Sequence, residues 1–119
     1  MTMAVRWLAA LLIIGACGKT SVTPVAAGDI EAGRETFVAS CAECHGVDAD
    51  GTDQGPPLVD DIYRPGHHSD QAFLLAVRRG VPAHHWNFGP MLAVEGLTDD
   101  DVANIVAYAR SLQRAAGIE

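Results

Sequence analysis

Residues 41–45 read Cys41-Ala42-Glu43-Cys44-His45. Two thiols three positions apart stand one helical turn apart and can both reach the edge of one flat ring. A histidine directly after the second thiol is carried beneath the ring centre, where its imidazole can bind iron. Cys-x-x-Cys-His is the attachment signature of a c-type haem. No other feature constrains the fold as much. A covalently held haem supplies a large apolar body and two crosslinks, so the chain can wrap around it with little core of its own.

The pair also suits two other chemistries, and the rest of the chain argues against both. A redox Cys-x-x-Cys sits after a strand in a βαβ pattern, and no strand alternation is visible. A structural zinc site needs four ligands, usually with a second paired knuckle. The only further cysteine is Cys17, far upstream. His67-His68 and His84-His85 offer ligands in principle but lack finger spacing.

The first residues read as a targeting segment. Arg6 precedes the apolar run Trp7–Ala16, which ends at Cys17. The run is shorter than the roughly 20 apolar residues a membrane span needs, and it has the layout of a signal peptide. Ile14-Gly15-Ala16-Cys17 resembles a bacterial lipobox, in which the cysteine receives the lipid and becomes the mature N-terminus. The expected organisation is therefore a signal peptide at 1–16, a lipidated Cys17 with a flexible tether over 17–28, and one domain over 29–119. A flexible tether of this length reaches roughly 18 Å.

The chain carries 8 basic and 15 acidic residues, for a formal charge of −7. Removing 1–16 takes away Arg6 alone and leaves −8. Such a chain repels nucleic acid and bare anionic membrane. A redox partner with a basic docking patch fits it better.

Three helices are legible. Asp29 caps one over about 30–40, with Glu31 in its first turn. Ser69 caps a second over 70–79, which Gly80 ends, and Phe73, Leu74 and Val77 form its apolar stripe. Thr98 caps a third, with Asp99, Asp100 and Asp101 in its first turn and Gly117 at its far end. Val102, Ile105, Val106, Ala109 and Leu112 form its apolar face, beside Tyr108. The stretches 46–68 and 81–97 between helices are irregular and rich in Gly and Pro.

An iron held by His45 has a second axial position. Met1 and Met3 fall in the signal peptide, so Met91, in Phe88-Gly89-Pro90-Met91, is the only methionine of the mature chain. A soft thioether suits the iron of an electron carrier. The rivals are His67, His68, His84 and His85, and a lone Met also serves as a core filler.

From Gly28 to about Ile118 the chain resembles a class I (mitochondrial-type) monohaem cytochrome c of bacteria. Cys41, Cys44 and His45 match the attachment motif, and Gly55-Pro56-Pro57-Leu58 resembles the family's Gly-Pro-x-Leu segment. The resemblance implies an all-α fold, with three main helices and long loops around one covalent haem c. It implies that the Pro56 carbonyl accepts the Nδ1–H of His45 and that Leu58 packs near the ring. It implies that Met91 is the second axial ligand. Gly33 and Phe37 would meet Ile105 and Tyr108 where the first and last helices cross. The segment 81–88 is not a fixed part of the pattern. There Trp86 is a candidate to line the haem edge, and Trp86, Arg78 or Arg79 a candidate donor to a propionate. The alternatives are a tryptophan covering the core and arginines on a solvated helix end.

The expected function is one-electron transfer at a membrane surface or in the periplasm, to or from a dehydrogenase, cytochrome complex or oxidase. Two alternatives stay open: a cytochrome subunit of an oxidoreductase, and a haem enzyme or sensor with an open sixth position.

Overall fold

A computed structural model describes residues 27–119. The expected signal peptide, the lipidation site Cys17 and most of the tether lie outside the described residues. Helix α1 spans Ile30–Ser40, α2 Ala42–His45, α3 Asp70–Arg79 and α4 Asp99–Ala115, with a 3-10 turn at Asp61–Tyr63. The three expected helices form with their expected caps. The Asp29 carboxylate accepts from the amides of Glu31 and Ala32. The Ser69 hydroxyl accepts from Ala72 N at 3.3 Å. Thr98 and Asp101 form a reciprocal capping box, which satisfies two orphan amides at the start of α4. These Thr98 hydrogen bonds hold the Asp101 carboxyl below its ordinary pKa. The four-residue α2, the 3-10 turn and an isolated antiparallel bridge between Val81 and Met91 were not predicted.

Helix α4 is the backbone of the domain, and it packs α1 on one side and α3 on the other. The first contact centres on fully buried Phe37 with Ala49, Ile105 and Tyr108. Burying a side chain of this size is worth about 1.5–3 kcal/mol. The Phe37 and Tyr108 rings meet edge to face, centroids 5.4 Å apart, which adds about 0.5–1.5 kcal/mol. The second contact centres on Val77, Val102 and Val106, with Phe73, Leu74 and Met91 packed against them.

The α1–α4 crossing depends on Gly33. A Cβ built there would lie 1.9 Å from the backbone oxygen of Asn104, so only a residue without a side chain allows the approach. This is the interhelical contact that the resemblance implied.

Arg110 and Gln113 are buried on α4 beside the apolar face. Arg110 donates to Asp70 Oδ1, to the carbonyls of Tyr63 and His68, and to Gln113 Oε1. Its guanidinium also stacks over Phe73, 4.7 Å from the ring centroid. Gln113 donates to the Leu58 and Tyr63 carbonyls. The irregular stretch 58–68 is thus held by side chains of a helix far away in sequence. A buried cation is tolerated because each guanidinium nitrogen meets at least one acceptor and one of these is a carboxylate.

Candidate functional site

Helix α1 ends at Cys41, whose amide donates to Phe37 O at 2.8 Å. The chain bends there and begins one further turn. The amides of Cys44 and His45 both donate to Cys41 O, at 3.2 and 3.0 Å. Cys41 and Cys44 are therefore held one turn apart, with Cys41 half-buried and Cys44 exposed. Burial, and secondarily the neighbouring Cys44, push the Cys41 thiol up to about 11.

The His45 ring is fixed by one hydrogen bond, between Nδ1 and the Pro56 carbonyl oxygen at 2.8 Å. A carbonyl can only accept, so Nδ1 carries the proton and Nε2 keeps its lone pair. A carbonyl partner of this kind orients the ring and makes Nε2 a better ligand. Tight packing holds Pro56 in place, because Gly55 lies against the Cys44 backbone and leaves no space for a side chain.

Cys41, His45, Pro56, Leu58, Trp86 and Met91 line one cavity of about 460 Å³. Its walls are mostly apolar, with Phe37, Phe73, Val77 and Ile105 from the helices. Met91 enters from the loop before α4. Its backbone pairs with Val81, N to O at 2.8 and 2.9 Å. The bridge runs past Gly80, whose φ is +72° and whose hypothetical Cβ would lie 2.5 Å from Met91 O. The glycine that ends α3 thus also lets the Met91 segment approach.

Of the sequence-predicted residues, Trp86 needs correction in detail, and the two arginines part ways. Trp86 does line the cavity, but its N–H donates to the Tyr63 hydroxyl at 3.0 Å and is not available to a propionate. Burial raises the pKa of that phenol, while the Trp86 hydrogen bond works the other way. Arg78 faces α4, paired with Asp99 and donating to Leu97 O at 2.6 Å. It lies outside the cavity lining, on the exposed end of α3 that the alternative reading gave it. Arg79 lines the cavity.

Sequence reasoning missed Tyr63, Arg110 and Gln113. The available signal was register: Arg110 follows Val106 by four and Gln113 follows Ala109 by four, which puts polar groups on a buried stripe. It also left the two histidine pairs unplaced. The structure brings all four together beside the cavity, with ring centroids of sequence neighbours and cross pairs 4.2–6.0 Å apart. Desolvation, then its neighbours His84, His68 and His67, lower the pKa of His85.

The residues present fit a haem c. The cavity falls within the range of about 300–1,000 Å³ typical of cofactor pockets. Its lining offers an oriented imidazole, a thioether and the Cys41 thiol, and Cys44 stands one turn on, exposed beside it; together these are the set that holds haem iron and its periphery.

Comparison with known proteins agrees. Residues 30–113 match the family described as Cytochrome c. Over 97 residues the chain is 34% identical to cytochrome c-554(547) of Halothiobacillus neapolitanus, covering 73% of this chain and 100% of that protein. Over 85 residues it is 35% identical to the cbb3-type cytochrome c oxidase subunit CcoP of Rubrivivax gelatinosus, covering 70% of this chain but 26% of the subunit. The crystal structure of cytochrome CL from Methylophaga aminisulfidivorans matches with a TM-score of 0.55 at 32% identity, over 69% of this chain and 51% of that one. The chain thus spans about a quarter of CcoP and half of cytochrome CL.

Proposed function

This chain belongs to the cytochrome c family, and from that premise we propose that it is a one-electron carrier whose iron is held by His45 and Met91. Its cofactor is haem c, and its activity is haem-dependent electron transfer. When bound, the haem supplies one-electron cycling between ferric and ferrous iron. The residues of the chain do the rest. Cys41 and Cys44 anchor the ring through thioethers, and His45 presents Nε2. Met91 offers sulfur from a loop whose backbone is pinned to Val81. The apolar walls exclude water, and with a thioether ligand that raises the potential. Two protein ligands leave no open position for a substrate.

The observation that carries this reading is the 2.8 Å bond from His45 to the Pro56 carbonyl. It aims a free Nε2 at a cavity that Met91 also lines. Purified ferric protein is expected to be low-spin, with a methionine-to-iron charge-transfer band in the near infrared. In Met91→Ala the band should vanish and the midpoint potential fall by on the order of 0.1 V, part of the ~0.8 V span set by axial ligation. A high-spin ferric spectrum in the wild type would sink the carrier reading and favour an enzyme or sensor.

Leu75 and Phe88 line the cavity and remain 39% and 40% exposed. This apolar rim is a natural place for a redox partner to dock, and the acidic chain favours a partner with a basic patch. The match to an oxidase subunit supports a second reading, permanent residence in an oxidoreductase complex. Co-purification of a complex without crosslinking would favour the subunit over the shuttle.

The lipobox-like end of the apolar N-terminal run supports an anchor at Cys17 and a place on the periplasmic side of a bacterial membrane. Intact protein is then expected in the detergent-soluble membrane fraction, with mass added at Cys17. Recovery of the protein in detergent-free extracts with Cys17 unmodified would rule this out.

A further inference from the structure

We propose that His67, His68 and His85 form a second metal site, distinct from the haem iron, for a divalent transition cation of the zinc or copper class. One ring nitrogen from each of the three lies within 4.8 Å of the others. His67 and His68 leave a tight turn, both of their amides donating to Arg64 O at 2.9 Å. His85 comes from the loop after α3, so the site joins two segments distant in sequence.

His68 is preorganised. Its Nδ1 bonds the Ile62 carbonyl at 2.7 Å, so Nε2 holds the free lone pair. This is the outer-sphere arrangement that orients metal-binding imidazoles. Arg110 fixes the His68 backbone through its carbonyl, and the Tyr63 ring lies 4.9 Å from the imidazole. His67 and His85 are exposed, so they can turn toward it at little cost. Nitrogens bound to tetrahedral zinc at about 2.0–2.1 Å stand roughly 3.3–3.4 Å apart. Rotations about χ1 and χ2 of the two exposed rings close the remaining gap. The His84 ring lies tilted against His85, centroids 4.2 Å apart, with its Nδ1 on Pro82 O, and it supports that wall of the site.

The donor set selects the ion. Three neutral imidazoles suit zinc, copper or nickel and not calcium or magnesium, which take oxygen. A three-histidine site with an open fourth position is geometrically complete for zinc. His68 and His85 also line the haem cavity, so the ion would sit at its edge.

The test uses ferric holoprotein purified without a histidine tag, titrated with Zn(II) by calorimetry while the haem spectrum is followed. One Zn(II) per chain is expected, with the haem spectrum retained. Outer-sphere changes alone cost about 10–100-fold in affinity, so His67→Ala/His85→Ala should bind at least about 100-fold more weakly. His67→Ala alone, exposed and outside the cavity lining, should already weaken binding and keep the wild-type haem spectrum and melting temperature, a control that the double variant, which alters the cavity wall at His85, does not supply. Cu(II) bound to the wild type should show nitrogen hyperfine splitting in its paramagnetic resonance spectrum, absent from the double variant. No stoichiometric Zn(II) binding, or binding equal in wild type and variant, overturns the site. Loss of the low-spin haem spectrum on adding metal also overturns it, since the histidines would then be serving the iron.

Discussion

Replacing Cys41 and Cys44 together by serine is expected to give colourless, poorly folded protein. The reason lies in how little core the chain has without its cofactor. Phe37 and Val102 are the largest apolar side chains that are fully buried, and the apolar walls of a cavity of about 460 Å³ would face water. A domain of this size has roughly 5–15 kcal/mol of net stability, and the apolar area lost with the ring is of comparable worth. The thioethers also close α2 onto the cofactor, so without them the ring has no covalent tether and is lost during purification. Circular dichroism, a pyridine haemochrome spectrum and metal analysis of the purified variant would check this. A colourless variant that keeps the wild-type helix content and a cooperative melt would instead show that the fold does not need the haem.

Gly33→Ala is the second large effect. The added methyl would meet backbone, with Asn104 O at 1.9 Å, its carbonyl carbon at 2.4 Å and Ile105 N at 3.1 Å. No side chain can swing aside, so α1 and α4 must separate. That opens the Phe37–Tyr108 contact and loosens the start of the haem motif, since Cys41 caps the end of α1. Overpacking usually costs about 1–3 kcal/mol, and contact with backbone puts this case at about 3 kcal/mol or more. In a domain of about 90 residues that lowers the melting temperature by roughly 12 °C or more. Gly66→Ala is the control: its Cβ would meet nothing within 4 Å, and it should be neutral within about 0.5 kcal/mol. Equal melting temperatures for the two variants would show that the crossing is not set by Gly33.

The helices could be read from sequence because their signals are local. Asp29, Ser69 and Thr98 each satisfy amides two or three residues away, so a short window holds cap and helix together. The haem motif is local for the same reason, since Cys41, Cys44 and His45 belong to one turn. The short α2 was missed because four residues show no periodicity. The Val81–Met91 bridge was missed because two residues of one loop carry no alternation.

The polar scaffold behind the site was not legible. Arg110 contacts Tyr63 and His68 across more than forty residues, and nothing near Tyr63 announces an arginine. Trp86 reads as a candidate haem-edge residue with a free N–H until the fold sets Tyr63 beside it.

By itself, then, the sequence determined the cofactor, through three residues on one turn, and the helices, through caps that act within a few residues. The tertiary structure decided which ring nitrogen of His45 is free, by bringing the Pro56 carbonyl to the other. It decided that Met91 borders the same cavity, and that two histidine pairs from separate loops meet. These contacts join residues far apart in the chain, and only the packing of α1 and α3 on α4 determines which of them form.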